Sequence, residues 1–230
     1  MNNPSSFAQG RTIVITGATG VLGDLVAKTF AELGHNLALL GRNENKLDFL
    51  VRELNLPDER LYAQTIDLLN ESAVHDSAEA VRSKFGSVHA LIHLVGGWAG
   101  GKTISESSTA DFKSMLNQHV WTTFHLLQAF APHIAASRWG RVIIVSKPET
   151  LKPSAKTALY TAAKSAQESL VLTLGEEYKD SGLTANVIHV KSIDNKAEGK
   201  GTNPAEIVAA MTYLFSDEAN KVNGTRIPLY

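Results

Sequence analysis

The chain of 230 residues contains no cysteine, which removes disulfides, thiolate nucleophiles and Cys-ligated metal from consideration and is compatible with a reducing compartment. Neither sign of charge is in excess. The 22 lysines and arginines against 23 aspartates and glutamates leave a formal charge of -1, so neither nucleic acid nor another polyelectrolyte is an expected partner. Long apolar runs are missing as well. No stretch approaches the roughly 18 to 20 residues that a membrane span requires, and residues 1–10 are polar, unlike a signal sequence. Those residues are read as a flexible tail ahead of a single domain spanning 11–230. A cytoplasmic protein with no metal site and no membrane partner is the expectation. What is present, 43% hydrophobic and 20% charged residues, is ordinary for a globular chain long enough to bury a core.

Short apolar runs alternate with amphipathic segments along the whole chain. Ile13 to Ile15, Asn36 to Leu40, Leu61 to Ile66, Val88 to Val95, Arg141 to Val145, Ala185 to Val190 and Val222 to Leu229 read as strands. Between them lie helix patterns, among them Leu25, Val26, Phe30 and Leu33, and a long fourth helix carrying Phe112, Met115, Leu116, His119, Val120, Phe124 and Leu127. Strands alternating with helices through short joins are the signature of parallel βαβ units. The fold class expected is therefore α/β, with helices on both faces of a mostly parallel, doubly wound sheet.

Two stretches carry chemistry. The run Thr16-Gly17-Ala18-Thr19-Gly20-Val21-Leu22-Gly23 follows the first strand directly and opens the first helix. Gly17 supplies a positive φ, Gly20 lets backbone approach a pyrophosphate, and Gly23 allows the helix to pack close on the turn. The unpaired amides at the start of that helix would face the phosphates. Further along, Tyr160 and Lys164 stand four residues apart on a helix, which places phenol and ammonium on one face. A nearby cation lowers a phenol's pKa, and moving it from about 10 to about 7 takes roughly 4 kcal/mol.

In this order and spacing the chain resembles the short-chain dehydrogenase/reductase family from about Arg11 to Tyr230. The resemblance rests on the Thr-Gly turn, Asp67-Leu68, an Asn in the long fourth helix, the Tyr-x-x-x-Lys pair and Asn223-Gly224-Thr225 before Ile227-Pro228. It implies a single-domain Rossmann fold and an oxidoreductase acting on a small carbonyl or alcohol. Tyr160 is then the general acid/base, and Lys164 lowers its pKa and binds the nicotinamide ribose. Asn117 holds a water leading from Lys164 to solvent, and Ser146 is a candidate donor to the substrate oxygen. Gly17, Thr19, Gly20, Val21 and Leu22 are expected against the cofactor phosphates, Asp67 and Leu68 against the adenine, and Gly96, Ile193 and Asn195 near the nicotinamide, where Tyr160 and Lys164 also touch it. After the second strand, Gly41-Arg42-Asn43 offers no carboxylate to a ribose, whereas the Arg42 guanidinium suits a 2′-phosphate. NADP(H) is thus the preferred cofactor, with NAD(H) possible. The resemblance also implies a homodimer or homotetramer formed through the two long helices.

Several positions depart from the family's pattern. Val21 stands where a middle glycine is usual, and His93-Leu94-Val95-Gly96 replaces Asn-Asn-Ala-Gly. His93 reads as a satisfied core histidine. The family's serine precedes the tyrosine by thirteen positions, which falls on Lys147, with Ser146 one residue earlier. Two registers are open: an extra loop residue that brings Ser146 to the substrate, or a strict register in which Lys147 takes that place and Ser146 faces away. Val190-Lys191 replaces the usual Pro-Gly, and the segment between Asn195 and Asn203 is short. These departures keep a competing expectation alive, a nucleotide-binding regulatory or structural subunit, degenerate in catalysis, on the same fold.

Overall fold

A computed structural model describes residues 10–194, 196 and 198–230. The expected tail, apart from Gly10, and the cofactor contact assigned to Asn195 lie outside the described residues. Seven parallel strands form one sheet in the order β3-β2-β1-β4-β5-β6-β7. They are β1 (Thr12–Thr16), β2 (Asn36–Gly41), β3 (Leu61–Thr65), β4 (Ala90–His93), β5 (Gly140–Ser146), β6 (Leu183–His189) and β7 (Arg226–Pro228). β1 and β6 are buried along their whole length, as expected of parallel strands covered on both faces.

The pleat sends alternate residues of each strand to opposite layers. Ile13 and Ile15 join one core, with Val26 and Phe30 of α1 (Val21–Glu32), Leu47 of α2 (Glu44–Leu54) and Met211 of α7 (Pro204–Leu214). Val14 joins the other, with Val74 and Val81 of α3 (Glu71–Phe85), Phe130 of α5 (Thr122–Ala136) and Val171 of α6 (Ala158–Glu177). Polar residues fix several helix starts: the side chains of Asn43, Asn70 and Ser108 accept the Lys46, Ala73 and Asp111 amides, satisfying donors that a helix leaves open.

Two expectations are corrected. The long fourth helix is not continuous: α4 (Thr109–Leu116) gives way to a π-helical turn over Asn117–Trp121 before α5 begins. The last strand starts four residues later than expected, at Arg226. The Asn223 side chain accepts the Ala185 amide at 2.9 Å and donates to the Gly175 carbonyl at 2.8 Å, adding side-chain bonds to the backbone bonds of the Gly224 amide to the Ala185 carbonyl at 3.0 Å and the Val187 amide to the Thr225 carbonyl at 2.9 Å. At the top of the sheet, the strand order reverses between the parallel neighbours β1 and β4, the switch point where an open α/β sheet forms its crevice.

Candidate active site

The crevice begins at the turn after β1. Gly17 has φ +73°, and a Cβ there would lie 3.0 Å from the Leu94 carbonyl carbon. A Cβ on Gly23 would come within 2.2 Å of the Gly17 carbonyl oxygen, so the helix can start this close to the turn only without a side chain. Gly20 caps α1 with no side-chain bond, and the intrahelical bonds begin with the Asp24 amide on the Gly20 carbonyl at 2.8 Å. The amides of the first turn are left for an anion, at the positive end of the helix.

From this turn the crevice extends both ways as two adjoining cavities of about 360 and 390 Å³ that share Gly17, Gly20, Leu94, Val95 and Gly96. One arm passes Thr19, Arg42, Lys46, Asp67 and Leu68. Asp67 accepts the Leu69 amide at 3.0 Å and so shapes the turn it sits in, and the Leu68 carbonyl accepts His125 Nδ1 at 2.9 Å. The other arm passes Val21, Leu22, Gly96, Tyr160, Lys164 and Ile193. A Cβ on Gly96 would lie 2.9 Å from the His119 ring. Every expected cofactor residue among those described lies along the crevice.

Tyr160 and Lys164 both line the second arm, and both are almost fully buried. Lys164 Nζ donates to the Val145 carbonyl at 2.8 Å and to Gln167 Oε1 at 2.7 Å. From there Gln167 Nε2 reaches Thr123 Oγ1, which donates to the His119 carbonyl at 2.6 Å. This chain ties the lysine to the π-helical turn. Burial lowers the Lys164 pKa to about 8, against the opposing pull of the Glu168 charge. The Tyr160 phenol goes the other way: burial first, then the Glu149 and Glu168 charges, hold its pKa above the ordinary value. In the free protein it is a neutral acid at physiological pH.

Ser146 and Asn117 both line the crevice, in different arms. A hydroxyl has one hydrogen to donate, and Ser146 Oγ, fully buried, gives it to Glu168 Oε1 at 2.5 Å. Glu168 also accepts from His189 Nε2 at 2.9 Å and Arg226 Nε at 2.6 Å, and these bonds hold its pKa near 2 despite burial. Ser146 also lines the cavity that holds Tyr160. Lys147 takes the neighbouring position, its Nζ 5.9 Å from the Tyr160 ring centroid and 5.4 Å from that of Trp98. Asn117 lines the first arm. The residue of the π-helical turn that reaches Tyr160 is His119, its ring perpendicular at 5.4 Å and its Nε2 2.9 Å from the Gly97 carbonyl oxygen. His119, Gln167, Glu168 and Trp98 were missed by sequence reasoning. The available signal was helical spacing, since Tyr160, Lys164 and Glu168 recur every fourth residue and so share one face. His93 bonds Thr16 Oγ1 through Nδ1 at 2.6 Å while its Nε2 has no partner, and burial holds its pKa near 3.

The glycine contacts and uncapped amides fit a dinucleotide, with its diphosphate at the α1 terminus and its two halves in the two arms. A phosphate-binding turn at the switch point of a doubly wound sheet, in one crevice with a buried tyrosine and lysine, defines a Rossmann-fold dinucleotide-binding protein. Comparison with known proteins narrows this. Residues 11–203 match the family model described as short chain dehydrogenase, and the chain belongs to that family of NAD(H)- or NADP(H)-binding oxidoreductases. A (2S)-[(R)-hydroxy(phenyl)methyl]succinyl-CoA dehydrogenase subunit from Thauera aromatica is 28% identical, over 95% of this chain and 92% of that protein. An uncharacterized oxidoreductase from Staphylococcus epidermidis is 26% identical, over 91% and 93%. Among solved structures, NAD+-bound xylitol dehydrogenase superposes with a TM-score of 0.85 at 21% identity, covering 98% of this chain and 99% of that one, a likeness of fold.

Proposed function

We propose that this protein is an NADP(H)-dependent oxidoreductase that moves a hydride between the nicotinamide and a carbonyl or alcohol substrate, with Tyr160 as the general acid/base. The observation that carries this reading is the shared crevice, in which Tyr160 and Lys164 line the same cavity as Gly17 and Gly20. A bound nicotinamide supplies or accepts the hydride at the substrate carbon. The protein's part is to bind, to exclude water and to move one proton. Tyr160, kept neutral by burial and neighbouring carboxylates, gives its phenolic proton to the substrate oxygen as the carbonyl is reduced, and takes it back in the reverse direction. Lys164, held on Val145 and Gln167, stabilises the phenolate that results. His119 packs edge-on against the Tyr160 ring and fixes its orientation.

Arg42 and Lys46 place two cations in the arm where the adenosine belongs, which supports a cofactor carrying a 2′-phosphate. The Thauera aromatica relative, a dehydrogenase of a hydroxy(phenyl)methyl compound by name, agrees with an alcohol or carbonyl substrate. In this reading the protein works in the cytoplasm as a homodimer or homotetramer. The test is NADPH oxidation across a panel of carbonyl compounds. Turnover that falls at least roughly a hundredfold in Tyr160→Phe, the usual size of a general acid's contribution, with NADPH still bound is the expected result. NADPH binding with no oxidation on any carbonyl, or full turnover in Tyr160→Phe, overturns it.

A further inference from the structure

The substrate end of the crevice has an unusual charge. Lys147, Lys164 and Lys191 line the cavity that holds Tyr160, and no aspartate or glutamate lines it among the described residues. Lys164 is already committed, to the Val145 carbonyl and Gln167. Lys147 is not. Its ammonium makes no hydrogen bond among the described residues, and its ion pair with Glu149 Oε1 is long, 3.4 Å, at a side chain only 23% exposed. An ammonium has three donors, and this one lies beside the packed pair of Trp98 and Tyr160 rings, 5.4 and 5.9 Å from their centroids. The other Glu149 oxygen is buried without a hydrogen-bond partner. The loop after β5 therefore carries a cation and a carboxylate that are paired with each other but incompletely satisfied, beside the group proposed to transfer the proton.

We infer that Lys147 is an anion anchor, and that the substrate is a carbonyl compound bearing a carboxylate or phosphate group close to the carbonyl. This inference rests on the oxidoreductase reading for its reaction, and on Lys147 itself for its specificity. A partly desolvated ammonium gains far more from a charged acceptor than from a neutral carbonyl. Lys191, on the rim of the same cavity, adds a second positive charge that draws anions towards it. Trp98 lies 5.4 Å from the ammonium, and the anion displaces Glu149 as partner. A serine hydroxyl at this place would bind neutral and anionic carbonyls much alike. A lysine discriminates between them.

Tryptophan fluorescence, with Trp98 as reporter, tests this in the NADP+-bound protein. Acetoacetate is titrated against methyl acetoacetate, and dihydroxyacetone phosphate against dihydroxyacetone, with NADPH oxidation measured separately for each compound. At least one anion is expected to bind roughly tenfold to a hundredfold more tightly than its neutral counterpart, the range of one charge-assisted hydrogen bond. Which pair shows the advantage identifies carboxylate or phosphate. Lys147→Met is expected to abolish the advantage, and Glu149→Gln, which removes the competing carboxylate, to enlarge it. Equal binding within both pairs, an advantage that survives Lys147→Met, or one that shrinks in Glu149→Gln overturns the inference. Anion preference without NADPH oxidation leaves the anchor standing and removes the oxidoreductase reading, and turnover without preference does the reverse.

Discussion

Two buried ionisable residues on α6 both add stability as pH rises, in separate windows, because each has a lowered folded-state pKa. The folded-state pKa of Lys164 is lowered to about 8 by burial. Below that value the ammonium is present, and its burial cost is borne in full. As pH rises from about 8 towards the ordinary lysine value near 10.5, the unfolded chain binds the extra proton, so stability increases across that window. In the proposed mechanism activity has the opposite slope, because the charge assigned to stabilise the Tyr160 phenolate disappears. The kcat/KM of carbonyl reduction is expected to decline above about pH 8 and the decline to be lost in Lys164→Met, as a pH-rate profile will show. Glu168 behaves as an ordinary depressed carboxylate. The stability its bonds contribute is present in full above the ordinary carboxylate value of 4.5 and is lost as pH falls from there towards about 2. Replacing it with alanine leaves Ser146, His189 and Arg226 without their shared acceptor. Breaking a buried pair costs about 3 to 5 kcal/mol, and the partial exposure of Arg226 moves the expectation to the low end. A drop in the denaturation midpoint by chemical unfolding measures it.

The elements divide into those whose local sequence decides them and those decided by packing. The strands were legible because buried parallel strands show as unbroken apolar runs, and Val14 or Ile143 has no competing pattern around it. The turn after β1 was equally legible: Gly17 and Gly23 are required by contacts of a backbone with itself. Gly17→Ala must adopt a left-handed conformation costing roughly 1 to 2 kcal/mol and also press on Leu94 at 3.0 Å, so loss of NADPH binding in a fluorescence titration is the expected result. Arg42 sits where β2 passes into the Asn43-capped α2, and Arg42→Ala is expected to weaken NADP+ binding roughly tenfold or more while leaving NAD+ binding nearly unchanged. By contrast, the π-helical turn was invisible in sequence. Phe112, Met115 and His119 keep helical spacing across it, and the extra residue per turn shows only in three dimensions, where it sets His119 rather than Asn117 beside Tyr160. The direction of Ser146 was hidden for a related reason. Strand alternation ties it to one face or the other, but the choice rests on Glu168, His189 and Arg226, which lie 22, 43 and 80 residues away in the chain.

At the scale of the whole molecule, the sheet is covered on both faces, yet apolar surface remains outside α4, the π-helical turn and α5. Phe112, Trp121 and Phe124 are 37, 49 and 40% exposed, and the last two rings meet edge to face at 6.2 Å. Beside them, α5 and α6 bound a groove containing Phe124, Leu127, Leu170 and Leu174. Aromatic residues at the centre of an apolar patch are the usual anchors of a protein interface, and two long helices offer a surface that a two-fold copy can match. The proposed homodimer would bury this face, with α5 and α6 packing against their counterparts. Phe124→Asp places a charge on the patch without touching the crevice or the two cores, so the fold should persist while association fails. Light scattering at micromolar concentration is expected to report a dimer or tetramer for the unaltered protein and a smaller species for Phe124→Asp. A monomer in both removes the interface. Because α6 also carries Tyr160, Lys164 and Glu168 on its inner face, assembly and site share one element: packing the outer face should restrain the helix that carries the pair proposed to transfer the proton. Dissociation by Phe124→Asp is then expected to lower kcat for carbonyl reduction as well, with the loss recovered as protein concentration is raised.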